Sequence, residues 1–244
     1  MHHVVLERWS RGRSVLHRRD ARAKTLALLV FLVVLATSYG PLAALSGVYF
    51  ALLLSALLLA RLPVAGALAR SALVLPFSVA FAAVSLLAGD APRAAALLSK
   101  SYLSALAVLI LISTTPLPQL LRGLEQIGVP HFLLMVAQFL YRYLFVISEE
   151  AQHMRVAALS RGASVRGMAA RRARFRAAAG ALAVLFARSY ARAGGIHRAM
   201  LSRGFQGRFH LLAAPRFGWA DAAFLLLAAL LPAAARGFLG GWRP

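Results

Sequence analysis

An all-α, polytopic membrane fold with about five transmembrane helices and a cytoplasmic pair of long amphipathic helices is predicted by three observations. First, the 244 residues are 61% hydrophobic with a mean hydropathy of +0.72. A soluble domain of this length cannot bury so much apolar surface, so lipid must serve as part of the solvent. Second, the formal net charge is +21 and the pI about 11.9, with the arginines gathered into segments between apolar runs. Third, about 100 residues separate the fourth and fifth apolar runs, and most of them follow a helical rather than a loop-like pattern. Cysteine is absent, which excludes disulfides, thiolate metal sites and cysteine nucleophiles.

The chain divides into a basic segment 1–24, transmembrane helices over 25–115, a cytoplasmic domain over 116–217, and a last transmembrane helix with its tail over 218–244. Arg8, Arg11, Arg13, Arg18, Arg19, Arg22 and Lys24 precede the first apolar run, and no small-residue cleavage site interrupts that run, so the first helix is read as retained. Thr25–Tyr39 and Leu42–Ala60 form a hairpin broken by Gly40-Pro41. A connector with Arg61, Pro63 and Arg70 leads to a third span, Ser71–Gly89, in which Pro76 is a kink site. Asp90-Ala91-Pro92 reads as a turn before a short fourth span, Tyr102–Thr115, and the last span runs from about Ala220 to Leu239.

Lysine and arginine near span ends stay on the cytoplasmic side. The N-terminal segment, the 61–70 connector and the long 116–217 segment carry most of them, and five spans with the N-terminus inside place all three in the cytoplasm. The expected location is the inner membrane of the cell. Within the long segment, a helix from Pro130 to Arg161 carries a polar stripe of Gln138, Arg142, Glu149, Gln152 and His153 beside Phe132, Leu133, Val136, Leu140 and Val146. A basic connector, Arg171–Arg176, precedes a second helix from about Ala177 to Arg203, with Leu182, Phe186, Ala193, Ile196 and Met200 on one face and Gly194-Gly195 as a bend site.

Both helices end in the same four residues, Leu159-Ser160-Arg161-Gly162 and Leu201-Ser202-Arg203-Gly204. Glycine past the last helical residue enters the left-handed conformation without steric cost, and arginine suits the negative end of the helix dipole. Each copy therefore reads either as an ordinary C-cap or as a helix end that presents a guanidinium to a partner's carboxylate.

Other chemistry is thin. The lysines, Lys24 and Lys100, do not follow the glycines of a phosphate-binding GxxxxGK[ST] loop, so the chain is not its own nucleotide motor. Glu149 and Glu150 adjoin on a helix and diverge, which suits an ion pair of Glu149 with an arginine at helical spacing better than acid/base work. His2, His3, His17, His131, His153, His197 and His210 lack ligand spacing, so no metal site is assigned. The 171–176 run favours anionic lipid or simple retention of positive charge over nucleic acid, since no aromatic stacking pattern accompanies it.

The chain resembles the transmembrane T component of energy-coupling factor (ECF) transporters, the CbiQ/EcfT family. The resemblance rests on Asp20-Ala21-Arg22-Ala23-Lys24, Thr115-Pro116, Leu120-Leu121-Arg122, Ile127-Gly128-Val129-Pro130, Tyr141-Arg142-Tyr143-Leu144-Phe145, Glu149-Glu150, Arg188-Ser189-Tyr190, Arg192-Ala193 and Ala199–Phe205 in that order. The family's two Ala-Arg-Gly signatures both read Ser-Arg-Gly here, keeping arginine, glycine and a small first residue. The resemblance implies that Ser160, Arg161, Gly162, Ser202, Arg203 and Gly204 end two coupling helices docked on two cytoplasmic P-loop ATPase subunits. Arg142, Glu149, Arg188 and Arg192 would be structural residues of those helices. It further implies a separate substrate-binding membrane subunit, no cofactor on this chain, and ATP with Mg consumed by the partners. Cobalt is the first expected cargo and nickel the next, with biotin or another vitamin also open. A membrane enzyme acting on a phospholipid or polyprenyl phosphate would need clustered carboxylates that are missing, and a membrane scaffold would bring down no ATPase.

Overall fold

The computed structural model describes residues 9–10, 12, 14–38, 42–161, 168–207 and 217–239. The Gly40-Pro41 turn, His2, His3, His210, Arg8, Arg11, Arg13, Gly162 and the tail beyond residue 239 lie outside them. Among the described residues every regular element is helical, and the protein is an all-α polytopic membrane protein. The chain forms two compact units, one of residues 1–129 with 215–244 and one of residues 130–214.

The first unit is a helical bundle. Helix α1 (Ala21–Ala36) starts earlier than the apolar run because Asp20 caps it, its carboxylate accepting from the Arg22 N–H. Helix α2 (Leu42–Leu59) matches its expected bounds closely. Helix α3 (Val64–Ser71) begins at Pro63, well before the expected third span, and passes through a 3₁₀ turn (Ala72–Val74) into α4 (Leu75–Leu87). That tightened turn sits just ahead of Pro76, where a backbone donor is missing and the ring crowds the preceding turn.

Helix α5 (Ala91–Thr114) is also longer than the apolar run suggested. Asp90-Ala91-Pro92 is its N-terminus and not a free turn: the Asp90 carboxylate accepts from the Arg93 N–H, and Pro92 occupies the first turn, where its missing donor costs nothing. Helix α6 (Leu117–Ile127) ends at Gly128, whose φ of 108° lies in the left-handed region. It belongs to the bundle, so the second unit begins at Pro130 and not at residue 116. Helix α9 (Trp219–Leu239) closes the bundle.

Helix α1 packs on α5, α6 and α9, while α5 also meets α2, α3 and α4. The core is apolar, built on Phe31, Leu35, Tyr49, Leu53, Leu57, Leu103 and Leu106. Phe31 and Tyr49 meet edge to face at 5.8 Å, and the Tyr49 hydroxyl shares a 2.9 Å hydrogen bond with the Ser38 hydroxyl. Gly123 of α6 lies against α1, where an added Cβ would come within 3.0 Å of the Ala21 Cβ and 3.2 Å of the Arg22 nitrogen.

The second unit holds α7 (His131–Ser160) and α8 (Met168–Leu201). Helix α8 begins well before Ala177, so the 171–176 run is helical and not a connector, in keeping with the high helix propensity of alanine and arginine. It continues through Gly194-Gly195. Among the described residues, four helical stretches are long and apolar enough to cross a membrane: Val64–Leu87, Ala91–Thr114, His131–Ser160 and Trp219–Phe238. Helix α1 has 16 residues and α2 18. Helix α7 thus satisfies the same length and hydropathy test as the bundle helices, and its composition alone does not separate it from them.

Candidate functional site

The site expected from the repeated tetrapeptide lies in the second unit. Helix α7 ends with Ser160, whose hydroxyl donates to the Val156 carbonyl, and Arg161 is the C-cap, its N–H reaching the Ala157 and Ala158 carbonyls at 3.2 Å. Arg161 and Ser160 are exposed. Gly162 is outside the described residues.

The second copy is complete. Gly204 has φ of 78°, its N–H donates to the Leu201 carbonyl at 3.0 Å, and the Phe205 N–H donates back to Met200 at 3.0 Å. These are the two bonds of a Schellman motif, with Arg203 at the C-cap and Gly204 in the left-handed position. Ser202 donates to the Ala199 carbonyl, which holds the serine against its own helix and leaves Ser202 and Arg203 exposed. A serine at this position therefore does backbone work that an alanine would leave undone. Both arginines stand exposed at the negative end of a helix dipole.

The other expected residues separate into different roles. Arg188 of α8 pairs with Glu150 of α7 through Nη1 and Oε1. The acid that pairs is thus Glu150 and not Glu149, and the arginine comes from the neighbouring helix and not from one turn away. Adjacent positions on a helix point about 100° apart, so only one of the two glutamates can face α8. Glu149 is exposed. Arg192 lies one turn on from Arg188 and lines the same 330 Å³ cavity between the helices, together with Tyr143, Ile147, Leu185 and Met200. Arg142 lies 6.0 Å from the Tyr143 ring centroid.

The apolar face expected on α8 is only partly the packed one. Ile196, Ala193 and Met200 line the cavity, whereas Leu182 and Phe186 point outward. On α7, Phe132, Leu133, Val136 and Leu140 are likewise exposed, and Leu134 is the buried residue. Apolar surface on this scale needs lipid or protein to cover it.

Sequence reading missed a set of polar ties in the bundle. The Lys24 ammonium donates to the Thr114 carbonyl and the Thr115 hydroxyl, each at 3.0 Å, and so satisfies the end of α5 from the start of α1. Lys100 of α5 donates to the Ala36 and Ser38 carbonyls at 3.0 and 2.9 Å and satisfies the end of α1. The two helices are antiparallel and cap each other. Asp221 of α9 accepts from the Asp20 and Gly218 N–H groups, both at 3.1 Å, with Arg19 at 3.9 Å. The signal was available: these are the chain's two lysines amid its arginines. A lysine stem ends in a compact three-donor head suited to carbonyls that a planar guanidinium fits less well.

Among the described residues no group of three or more histidines and carboxylates is placed to hold a metal ion. A polytopic helical membrane protein with a two-helix unit ending in capped, exposed arginines is the class these observations define. Residues 12–211 match the family described as "CbiQ: Cobalt transport protein", and the chain belongs to that family. It is 33% identical over 147 residues to the protein named "Cobalt transport protein CbiQ" of Rhodobacter capsulatus, a match spanning 60% of this chain and 59% of that relative.

Proposed function

We propose that this chain is the non-catalytic coupling subunit of an ATP-driven ECF importer that takes up cobalt. In this reading Arg161 and Arg203 dock on two cytoplasmic P-loop ATPase subunits. Closure of those subunits on ATP and Mg moves α7 and α8, and the movement passes to a substrate-binding membrane subunit. The bundle sits in the inner membrane, and the two-helix unit faces the cytoplasm. The observation that carries the reading is the pair of exposed arginines, each at the C-cap of a long helix. An arginine so fixed matches a carboxylate in a partner's groove with little further ordering. The exposed apolar faces of α7 and α8 supply surface for the membrane partner. Cobalt is favoured over nickel, biotin or another vitamin by the description of the family and the name of the relative.

The test is co-expression with candidate ATPase and substrate-binding subunits, followed by copurification, ATP hydrolysis and cobalt uptake. Arg161→Glu and Arg203→Glu are each expected to weaken assembly and uncouple hydrolysis from uptake. Removing one member of a buried charge pair costs about 2–5 kcal/mol. Normal stoichiometry and normal uptake in the double variant would overturn the docking role.

A further inference from the structure

A second cavity, of about 310 Å³, lies within the bundle between α1, α2, α5 and α9. Its walls are almost wholly apolar, built from residues such as Phe31, Leu53, Ile110, Phe224 and Leu227, and Lys24 is its one charged lining residue. Lys24 is 5% exposed. Its two hydrogen bonds go to neutral oxygens, which leaves one N–H of the ammonium for another acceptor. The nearby carboxylates act on it only through space: Asp221 holds the Asp20 and Gly218 N–H groups, and Asp20 caps Arg22. An ammonium buried in apolar surroundings without a bonded counter-ion favours an anion beside it.

The slot also has a direction. Lys24 near the start of α1, Leu59 at the end of α2, Thr114 at the end of α5 and Phe224 near the start of α9 lie toward one end of the bundle, where Arg18, Arg19 and Arg22 also stand. Leu59, Leu227 and Leu231 on its rim are more than half exposed and face the membrane solvent. An apolar slot open to lipid, with a cation at the arginine-bearing end, has the chemistry of an amphiphile with a negative head.

We propose that this slot holds an acyl chain of an anionic membrane phospholipid whose phosphate is drawn to Lys24 and the adjoining arginines. The inference requires only that the bundle be embedded in lipid, so it stands or falls separately from the coupling role.

The full chain is reconstituted in nanodiscs of phosphatidylcholine containing a minority of phosphatidylglycerol, released into detergent, and its retained lipid counted by native mass spectrometry. Phosphatidylglycerol should be retained about tenfold over its share of the bilayer, the worth of one charge-assisted hydrogen bond. Ala56→Phe, which fills the slot without touching Lys24, should abolish retention of both lipids. Lys24→Met should abolish the headgroup preference and Lys24→Arg should keep it. A purely structural lysine would lower the melting temperature on replacement and leave the lipid ratio unchanged. The proposal is overturned if the wild-type chain retains both lipids in bilayer proportion, or if Ala56→Phe retains phosphatidylglycerol as the wild type does. It is equally overturned if, in the assembled complex, cross-linkers placed at Ala56 capture a partner polypeptide in the slot instead of lipid. Should Lys24→Met fail to fold, the Ala56→Phe result decides alone.

Discussion

The bundle and the two-helix unit are both helical, yet they are held together by different means. In the bundle, buried leucines and aromatics form a shared core, and polar side chains far apart in sequence tie one helix end to another. Among the described residues of the two-helix unit, one exposed-to-intermediate ion pair crosses between α7 and α8, and many large apolar residues remain open. The first has a packed core and leaves its outer apolar side chains, such as Phe77, Leu87 and Trp219, to lipid. The second leaves its surfaces to be completed by whatever it meets, as a moving element between partners would require. Substitutions in the bundle should therefore act on folding, and substitutions in the pair should act on assembly.

The largest effect on folding is expected at Lys24. Lys24→Met strands the Thr114 carbonyl and the Thr115 hydroxyl in a dry site. At about 1–3 kcal/mol for each unsatisfied buried group, the loss amounts to about 2–6 kcal/mol, read as a lowered melting temperature of the purified chain in detergent. An unchanged melting temperature would mean that the two helix ends do not depend on their cross-caps. Gly123→Ala comes next. The added Cβ meets the α1 backbone and the Ala21 Cβ and not the end of a flexible side chain, so α6 must move away at about 1–3 kcal/mol. The same change at Gly180, whose Cβ position is open, should leave the melting temperature unaltered or raise it slightly through helix propensity.

Which parts were legible in sequence depends on which forces set them. The helix-ending role of Gly204 was legible because a left-handed residue demands glycine. The apolar runs were legible as helices because lipid exposure demands apolar side chains, but among the described residues three of the five fall in stretches long and apolar enough to span, and α7 is a fourth such stretch. The starts of α3 and α5 were not legible, since hydropathy reports where the membrane is and helix caps report where the helix is. Val64 and Ala91 begin helices whose opening stretches carry Arg70 or Arg93 and so read as connector, although each whole stretch is apolar enough to span. The cross-caps were signalled only by the two lysines themselves: apart from the Thr115 hydroxyl, the partners of Lys24 and Lys100 are backbone carbonyls about 90 and 60 residues away, and a carbonyl leaves no residue-type signature. Within the candidate site the arginines were legible by repetition, whereas the choice of Glu150 over Glu149 depended on the rotation of α7 about its axis. A helix with apolar residues on several faces does not fix that rotation.

In the two-helix unit, Gly204→Ala separates the two behaviours. Alanine at φ of 78° strains the backbone by about 1 kcal/mol, confined to the last turn of α8. The melting temperature of the whole chain should hardly move, while the orientation of Arg203 shifts and, under the proposed docking role, copurification with ATPase subunits falls. Loss of thermal stability comparable to Gly123→Ala would place this helix end among the elements that hold the fold together.

The smallest effect on stability is expected at the Arg188–Glu150 pair. Arg188 is 62% and Glu150 28% exposed at the side chain, so solvent screens the attraction, and holding two long side chains in one geometry opposes it. Exposed pairs of this kind contribute about 0.2–1 kcal/mol. A double-mutant cycle with Glu150→Ala and Arg188→Ala, read from the melting temperature, should give a coupling at or below that level. The charge-swapped variant, Glu150→Arg with Arg188→Glu, should recover it. Under the proposed coupling role, the same cycle read in the assembled complex has a different expectation. If α7 and α8 move as one body, the pair sets their register, and breaking it should lower coupled uptake more than it lowers stability. Equal losses in both measurements would show that the pair only contributes to folding, and the two units would then differ in strength but not in kind.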